Sequence, residues 1–332
     1  MKSYNIPNIF YLFLCYFLFL CFVIGCLSEN NKDIQNSGRN YSISDTLDLS
    51  AEELYSTAQD YVSEEDYDNA IRYFKKAIEI KPDYTDALFY LGTEYLRARQ
   101  FEEGVEAFKK VIKIEPENTS AYHNLGIAYN QLERYKDAIS ALKNTIRLEH
   151  KSANSHFSLG VAYMGLGRHK DAIAAFEESI NIQPEYFKAY FNIGVIFLNV
   201  GQYEEGIESL RRAISIEPDN SDTHYILGRI FFEHERYTEA IESLKEVIRI
   251  NPDYPWPHYN LGEVYLNLGK NTEAIKSFKR AVSIEPQNID AQYSLGVAYL
   301  WNGDKESALN QYKILQRHDE ELAKHLYNLI YE

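Results

Sequence analysis

The sequence predicts an all-α protein, a solenoid of eight helix–turn–helix repeats closed by a C-terminal capping helix. Three observations predict it. Glycines recur every 34 residues, at Gly92, Gly126, Gly160, Gly194, Gly228, Gly262 and Gly296. Prolines keep the same interval, at Pro82, Pro116, Pro184, Pro218, Pro252 and Pro286, with His150 standing where one is missing. Between these markers the apolar residues recur at helical spacing, as in Leu88, Leu91 and Tyr95. A fixed period of this length marks a stacked array, whose units bury their apolar faces only against one another.

The first element is not part of the array. Residues 9–24 are an apolar run, with Lys2 before it and no acidic residue until Glu29. Its length alone does not separate an export signal from a membrane anchor, because a span needs about 20 apolar residues. Val23-Ile24-Gly25-Cys26 at its end resembles the bacterial lipobox. That resemblance implies a lipoprotein signal over 1–25 and a lipid-anchored Cys26; an uncleaved signal anchor and ordinary secretion are the alternatives. All three cysteines (Cys15, Cys21, Cys26) lie in this stretch, so the remainder has no disulfide, no Cys-based metal site and no thiol nucleophile. Residues 26–50 turn polar and read as a flexible tether.

With the proline at position 32, the repeats fall at 51–84, 85–118, 119–152, 153–186, 187–220, 221–254, 255–288 and 289–320. In the second, Leu88, Leu91, Gly92 and Tyr95 form one helical stripe. Gly104, Val105, Phe108, Val111 and Ile112 form another, and Arg97–Gln100 break the pattern between them. Glycine costs roughly 1 kcal/mol relative to alanine inside a helix, so its recurrence at position 8 predicts close approach of a partner backbone. Proline at 32 stops the second helix. Asp83, Asn118, Ser152, Asn220 and Asp253 follow as candidate caps for the next one. Residues 321–332 close the array as a capping helix, with Leu322, Leu326, Leu329 and Ile330 on one face.

The pattern resembles the tetratricopeptide repeat, whose marks are a bulky residue at 4, Leu-Gly at 7–8, Tyr at 11, Ala at 20, an aromatic at 24, Ala at 27 and Pro at 32. Tyr122-His-Asn-Leu-Gly-Ile-Ala-Tyr129 and Asp137-Ala-Ile-Ser-Ala-Leu142 fit it closely, and the resemblance covers residues 51–320. It implies a right-handed superhelix whose first helices line a concave face, with ligand contacts from positions 2, 5, 6, 9, 12 and 13. Position 5 then gives a row of aromatic residues that includes Phe157 and Phe191, and position 6 gives Asn124, Asn192 and Asn260. Positions 9 and 12 add an apolar strip: Ile127, Val161, Met164, Val195 and Leu198. The expected peptide-binding centre is therefore Asn124, Ile127, Phe157, Val161, Met164, Phe191, Asn192, Val195 and Leu198. The family's carboxylate clamp requires a set of basic and amide residues over three consecutive repeats, of which only Lys188 is present.

The remaining chemistry is sparse. No phosphate loop, His-Glu-x-x-His or calcium loop occurs, and His156, His224 and His258 share position 4, where the family packs a bulky residue. No enzyme activity, cofactor, metal or small-molecule substrate is expected. A net charge of −15 disfavours nucleic acid. The expected function is a membrane-tethered adaptor, exported and held to a cell-envelope membrane, that binds a peptide or helix of a partner protein. The alternative is a structural component of an envelope biogenesis or secretion assembly that docks through its convex face.

Overall fold

The computed structural model describes residues 49–331. The leader, Cys26 and nearly all of the tether lie outside them. The chain divides into two compact units at Ile182 and Gln183. The first holds α1 (Ala51–Ser63), α2 (Tyr67–Ile80), α3 (Thr85–Arg97), α4 (Phe101–Ile114), α5 (Thr119–Gln131), α6 (Tyr135–Leu148), α7 (Ala153–Gly165) and α8 (His169–Ile182). The second holds α9 (Phe187–Asn199), α10 (Tyr203–Ile216), α11 (Ser221–Glu233), α12 (Tyr237–Ile250), α13 (Pro255–Asn267), α14 (Asn271–Ile284), α15 (Ile289–Trp301), α16 (Lys305–Leu315) and α17 (Glu320–Tyr331). No helix among the described residues is long and apolar enough to cross a membrane.

Each repeat is an antiparallel pair, and the glycine at position 8 sets how closely its helices approach. A Cβ on Gly92 would lie 2.7 Å from the Phe108 ring, and one on Gly160 would lie 2.6 Å from the Phe176 ring. The side chain at position 24 is what comes closest, and the backbone approach the sequence suggested is present as well: a Cβ on Gly206 would lie 3.1 Å from the Gly194 carbonyl oxygen. The second helices bury that same residue completely: Phe74, Phe108, Leu142, Phe176, Leu210, Leu244 and Phe278 are all at 0% exposure.

The second helices end two residues before the proline, with Lys81 at φ −128° and Glu115 at φ −123° already out of helical geometry. α6 stops at the same place although His150 replaces the proline, with Glu149 extended at φ −135° and its N–H bonded to the Thr145 carbonyl. Proline is therefore not required for the stop. Asn118, Ser152 and Asn220 cap the following helices through their side chains, as does Asn288. Asp83 and Asp253 do not: Tyr84 and Tyr254 occupy those cap positions, and Asp253 instead pairs with Arg280 at 2.8 Å.

In four repeats the residue at position 4 ties the first helix to the turn before it. His224 Nε2 lies 2.9 Å from the Pro218 carbonyl and His258 Nε2 3.1 Å from that of Pro252. His156 and Gln292 make the corresponding bonds to His150 and Pro286. The histidines are thus packing residues with a further duty, satisfying a carbonyl left over at the end of a helix. Position 15 turns the chain from the first helix into the second in the left-handed region. Gly167, Gly201, Gly269 and Gly303 adopt it, and so do Glu65, Arg99, Glu133 and Glu235.

Candidate functional site

Within each unit, successive first helices touch: α3 with α5, α5 with α7, α11 with α13, and α13 with α15. Their solvent-facing sides form one face per unit. The nine expected site residues are split between the units, so the two faces are considered separately.

In the first unit, repeats three and four place no Asp, Glu, Lys or Arg at positions 2, 5, 6, 9, 12 or 13, although 25% of the chain is charged. Asn124, Ile127, Val161 and Met164 are all half-buried there. Phe157 is not available: only 8% exposed, its ring packs 5.4 Å from that of Phe176. The same pairing of positions 5 and 24 recurs in Tyr55–Phe74, Phe89–Phe108 and Tyr259–Phe278. The aromatic row is therefore in large part an internal seam between the two helices of each repeat. His123 breaks it and bonds through Nδ1 to Ser155 Oγ at 2.9 Å, and burial lowers its pKa, so the ring is neutral. Asn130 donates to the Ser158 carbonyl at 2.9 Å, fastening α5 to α7.

In the second unit, Phe191 is 4% exposed and packs 5.9 Å from Phe187. Asn192 is 8% exposed, and its side-chain amide donates to the Lys188 carbonyl at 2.7 Å. Neither is the open contact residue expected. Val195 and Leu198 are half-buried. Leu198 lies over Gly206, where a Cβ would come within 2.7 Å of its Cδ2. Position 12 thus has a packing duty that the sequence did not disclose.

Repeats six to eight carry a polar network that the sequence showed only as scattered charges. Asn260 donates to the Tyr225 hydroxyl at 3.1 Å, and the Tyr225 ring lies 5.6 Å from that of Tyr254. The Tyr259 hydroxyl donates to Glu263 Oε1 at 2.9 Å, and Arg229 pairs with Glu233 at 3.0 Å. Burial raises the Glu263 carboxyl and the nearby Asp290 charge adds to this, while the Tyr259 bond and Arg229 act in the opposite direction. Desolvation raises Asp222 as well, and it pushes Tyr254 up to about 12. Asn260 and Tyr225 meet because position 5 of one repeat faces position 6 of the next, 35 residues on, whereas the Tyr259–Glu263 and Arg229–Glu233 contacts lie within single helices. That offset was present in the sequence as a usable signal.

An array of such helix pairs defines the class, and the chain is a tetratricopeptide repeat protein. Tetratricopeptide repeat models match residues 117–185, 187–220 and 290–319, and a TPR repeat model matches 228–269 and 264–303. A model described as anaphase-promoting complex, cyclosome, subunit 3 matches 63–145. The C-terminal part of a TPR repeat-containing protein from Cytophaga hutchinsonii superposes with a TM-score of 0.64. It is 17% identical, over 71% of this chain and 98% of that one. YrrB, described as a TPR protein with an unusual peptide-binding site, gives 0.50 at 19% identity, over 57% of this chain and 98% of its own. MamA is 28% identical over 50% of this chain and 96% of its own, with a TM-score of 0.47. No curated protein matches the chain. Proteins of this class generally serve protein–protein interaction, and their repeats are typically non-catalytic.

Proposed function

We propose that this chain is a non-catalytic adaptor, exported and tethered to a cell-envelope membrane by a lipid on Cys26, whose first-helix faces capture an extended peptide or a helix of a partner protein. The observation that carries the reading is the charge-free strip on α5 and α7, where Ile127, Val161 and Met164 are half-buried beside Asn124. An apolar, amide-bearing strip without ions suits polypeptide backbone and apolar side chains, not a phosphodiester or a charged metabolite. Among the structural relatives, YrrB is described as having a peptide-binding site, which supports the same reading. The half-buried Val195 and Leu198 extend this property to the second unit's own face.

The experiment is a substitution contrast in which the full chain captures its partner from solubilised native membranes. Position 9 holds Arg229 and Glu263 in other repeats, so the fold accepts a charge there. Val161→Glu should weaken capture at least about tenfold, roughly 1.4 kcal/mol. Glu177→Ala and Glu178→Ala, on the exposed side of α8, should leave it unchanged. The opposite pattern would replace the adaptor reading with an assembly role through the outer face.

A further inference from the structure

The face of α11, α13 and α15 differs in kind from that of α5 and α7. At positions 2, 5, 6, 9, 12 and 13 of repeats six to eight stand the carboxylates Asp222, Glu233, Glu263 and Asp290 and one cation, Arg229. The cation is already committed to Glu233 at 3.0 Å. Rings stand among the carboxylates, and so do the half-buried apolar side chains Ile226, Phe232 and Leu266.

We propose that this face is the docking surface for a basic segment of the partner, taking lysine or arginine side chains between the carboxylates of Asp222, Glu263 and Asp290. The proposal rests on the adaptor reading and names the chemistry of the segment that this second face accepts. Charge complementarity chooses the occupant. Among the described residues Asp222, Glu263 and Asp290, on three successive first helices, form no ion pair, and an incoming ammonium or guanidinium supplies one.

The spacing argues for a row of cations along a chain rather than one ion. Among the described residues no three of His, Cys, Asp and Glu converge closely enough to hold a metal. The apolar side chains between the carboxylates accept apolar residues alternating with the basic ones.

The electrostatics of Glu263 agree with a site built for a counter-charge. It is desolvated, faces Asp290 from α15, and is only partly offset by Tyr259 on its own helix and Arg229 from α11. Its folded-state pKa is therefore raised, and its ionised form weakens the empty fold. Binding of a cation relieves that strain. Affinity for a basic segment should consequently fall as pH drops through the raised Glu263 pKa.

The test pans a phage-displayed library of random peptides about twelve residues long against the detergent-solubilised full chain. The comparison protein carries Asp222→Asn, Glu263→Gln and Asp290→Asn together. These changes keep the side-chain shapes, and glutamine still accepts from Tyr259. The wild type should enrich peptides in which Lys or Arg alternates with apolar residues. A selected basic peptide should bind the triple variant at least about tenfold more weakly, with reduced salt and pH dependence. Melting of Glu263→Gln at the same or a higher temperature would exclude unfolding as the cause. If both proteins select the same peptides without basic enrichment, the basic-segment proposal fails while the adaptor reading stands. If neither retains any peptide above background, the adaptor reading falls with it.

Discussion

Position 10 of the first helix is buried and apolar in repeats three to eight, as Ala128, Ala162, Ile196, Ile230, Val264 and Ala298; the first repeat has the exposed Asp60 there and the second the buried Glu94. Glu94 is at 0% exposure, with an ion pair to Arg97 at 3.2 Å and no well-aligned hydrogen bond to either carboxylate oxygen. Burial raises its pKa, and Arg97 opposes this without overcoming it. A carboxyl whose folded pKa is raised contributes most at low pH, and that contribution is lost as pH rises through the folded value. Glu94→Ile, which copies Ile196 and Ile230, should therefore stabilise the fold at neutral pH by about 1–3 kcal/mol. The gain should shrink as the medium is acidified. Thermal melts at neutral and acidic pH check this; a less stable variant at neutral pH would show that the Glu94–Arg97 pair holds the repeat together. The period gave no warning of this residue, because one polar side chain does not disturb a 34-residue pattern. The glycines at position 8 were legible because they recur in seven repeats, where a Cβ would crowd the ring or leucine packed against them; the first repeat instead fits Phe74 beside Ala58.

At the scale of elements, the helix pairs were legible because their apolar stripes and turn residues repeat in phase. The capping helix was legible less fully. Leu326 and Ile330 on α17 are buried with Leu315 and Val297, but Leu329 is 37% exposed rather than on the packed face. Leu326 does more than cover an end: a Cβ on Gly296 would lie 2.5 Å from its Cδ2. It thus contacts the position-8 glycine where earlier repeats use their own position-24 residue. Truncation after Arg317 removes α17 and uncovers Leu315. Each buried large apolar side chain contributes roughly 1.5–3 kcal/mol, so the loss should amount to several kcal/mol. A melting curve unchanged by the truncation would contradict the capping role. Conversely, the stop of α6 before His150 shows why motif gaps mislead: the Glu149 backbone bond closes that helix without proline, and the Ser152 cap starts the next.

For the whole molecule, composition indicated binding rather than catalysis, but not where the partner would be met. The aromatic row drew attention to Phe157 and Phe191, which are core residues, because aromatic side chains at helical spacing serve packing and recognition alike. The acidic residues of repeats six to eight did not stand out in the sequence, because their neighbours sit one repeat away in sequence and side by side in space. The tether adds a requirement of its own. If Cys26 carries a lipid, labelling with a clickable fatty acid should tag the wild-type chain and not Cys26→Ala. Equal labelling of both would contradict the anchor.

The central claim is that partners dock on the first-helix faces, and photo-crosslinking tests it most directly. A photoreactive amino acid placed at Val161, and in a separate chain at Glu177, would be activated in native membranes. The account predicts a discrete adduct with the partner from position 161 and none from position 177. An adduct formed only from position 177 would contradict it.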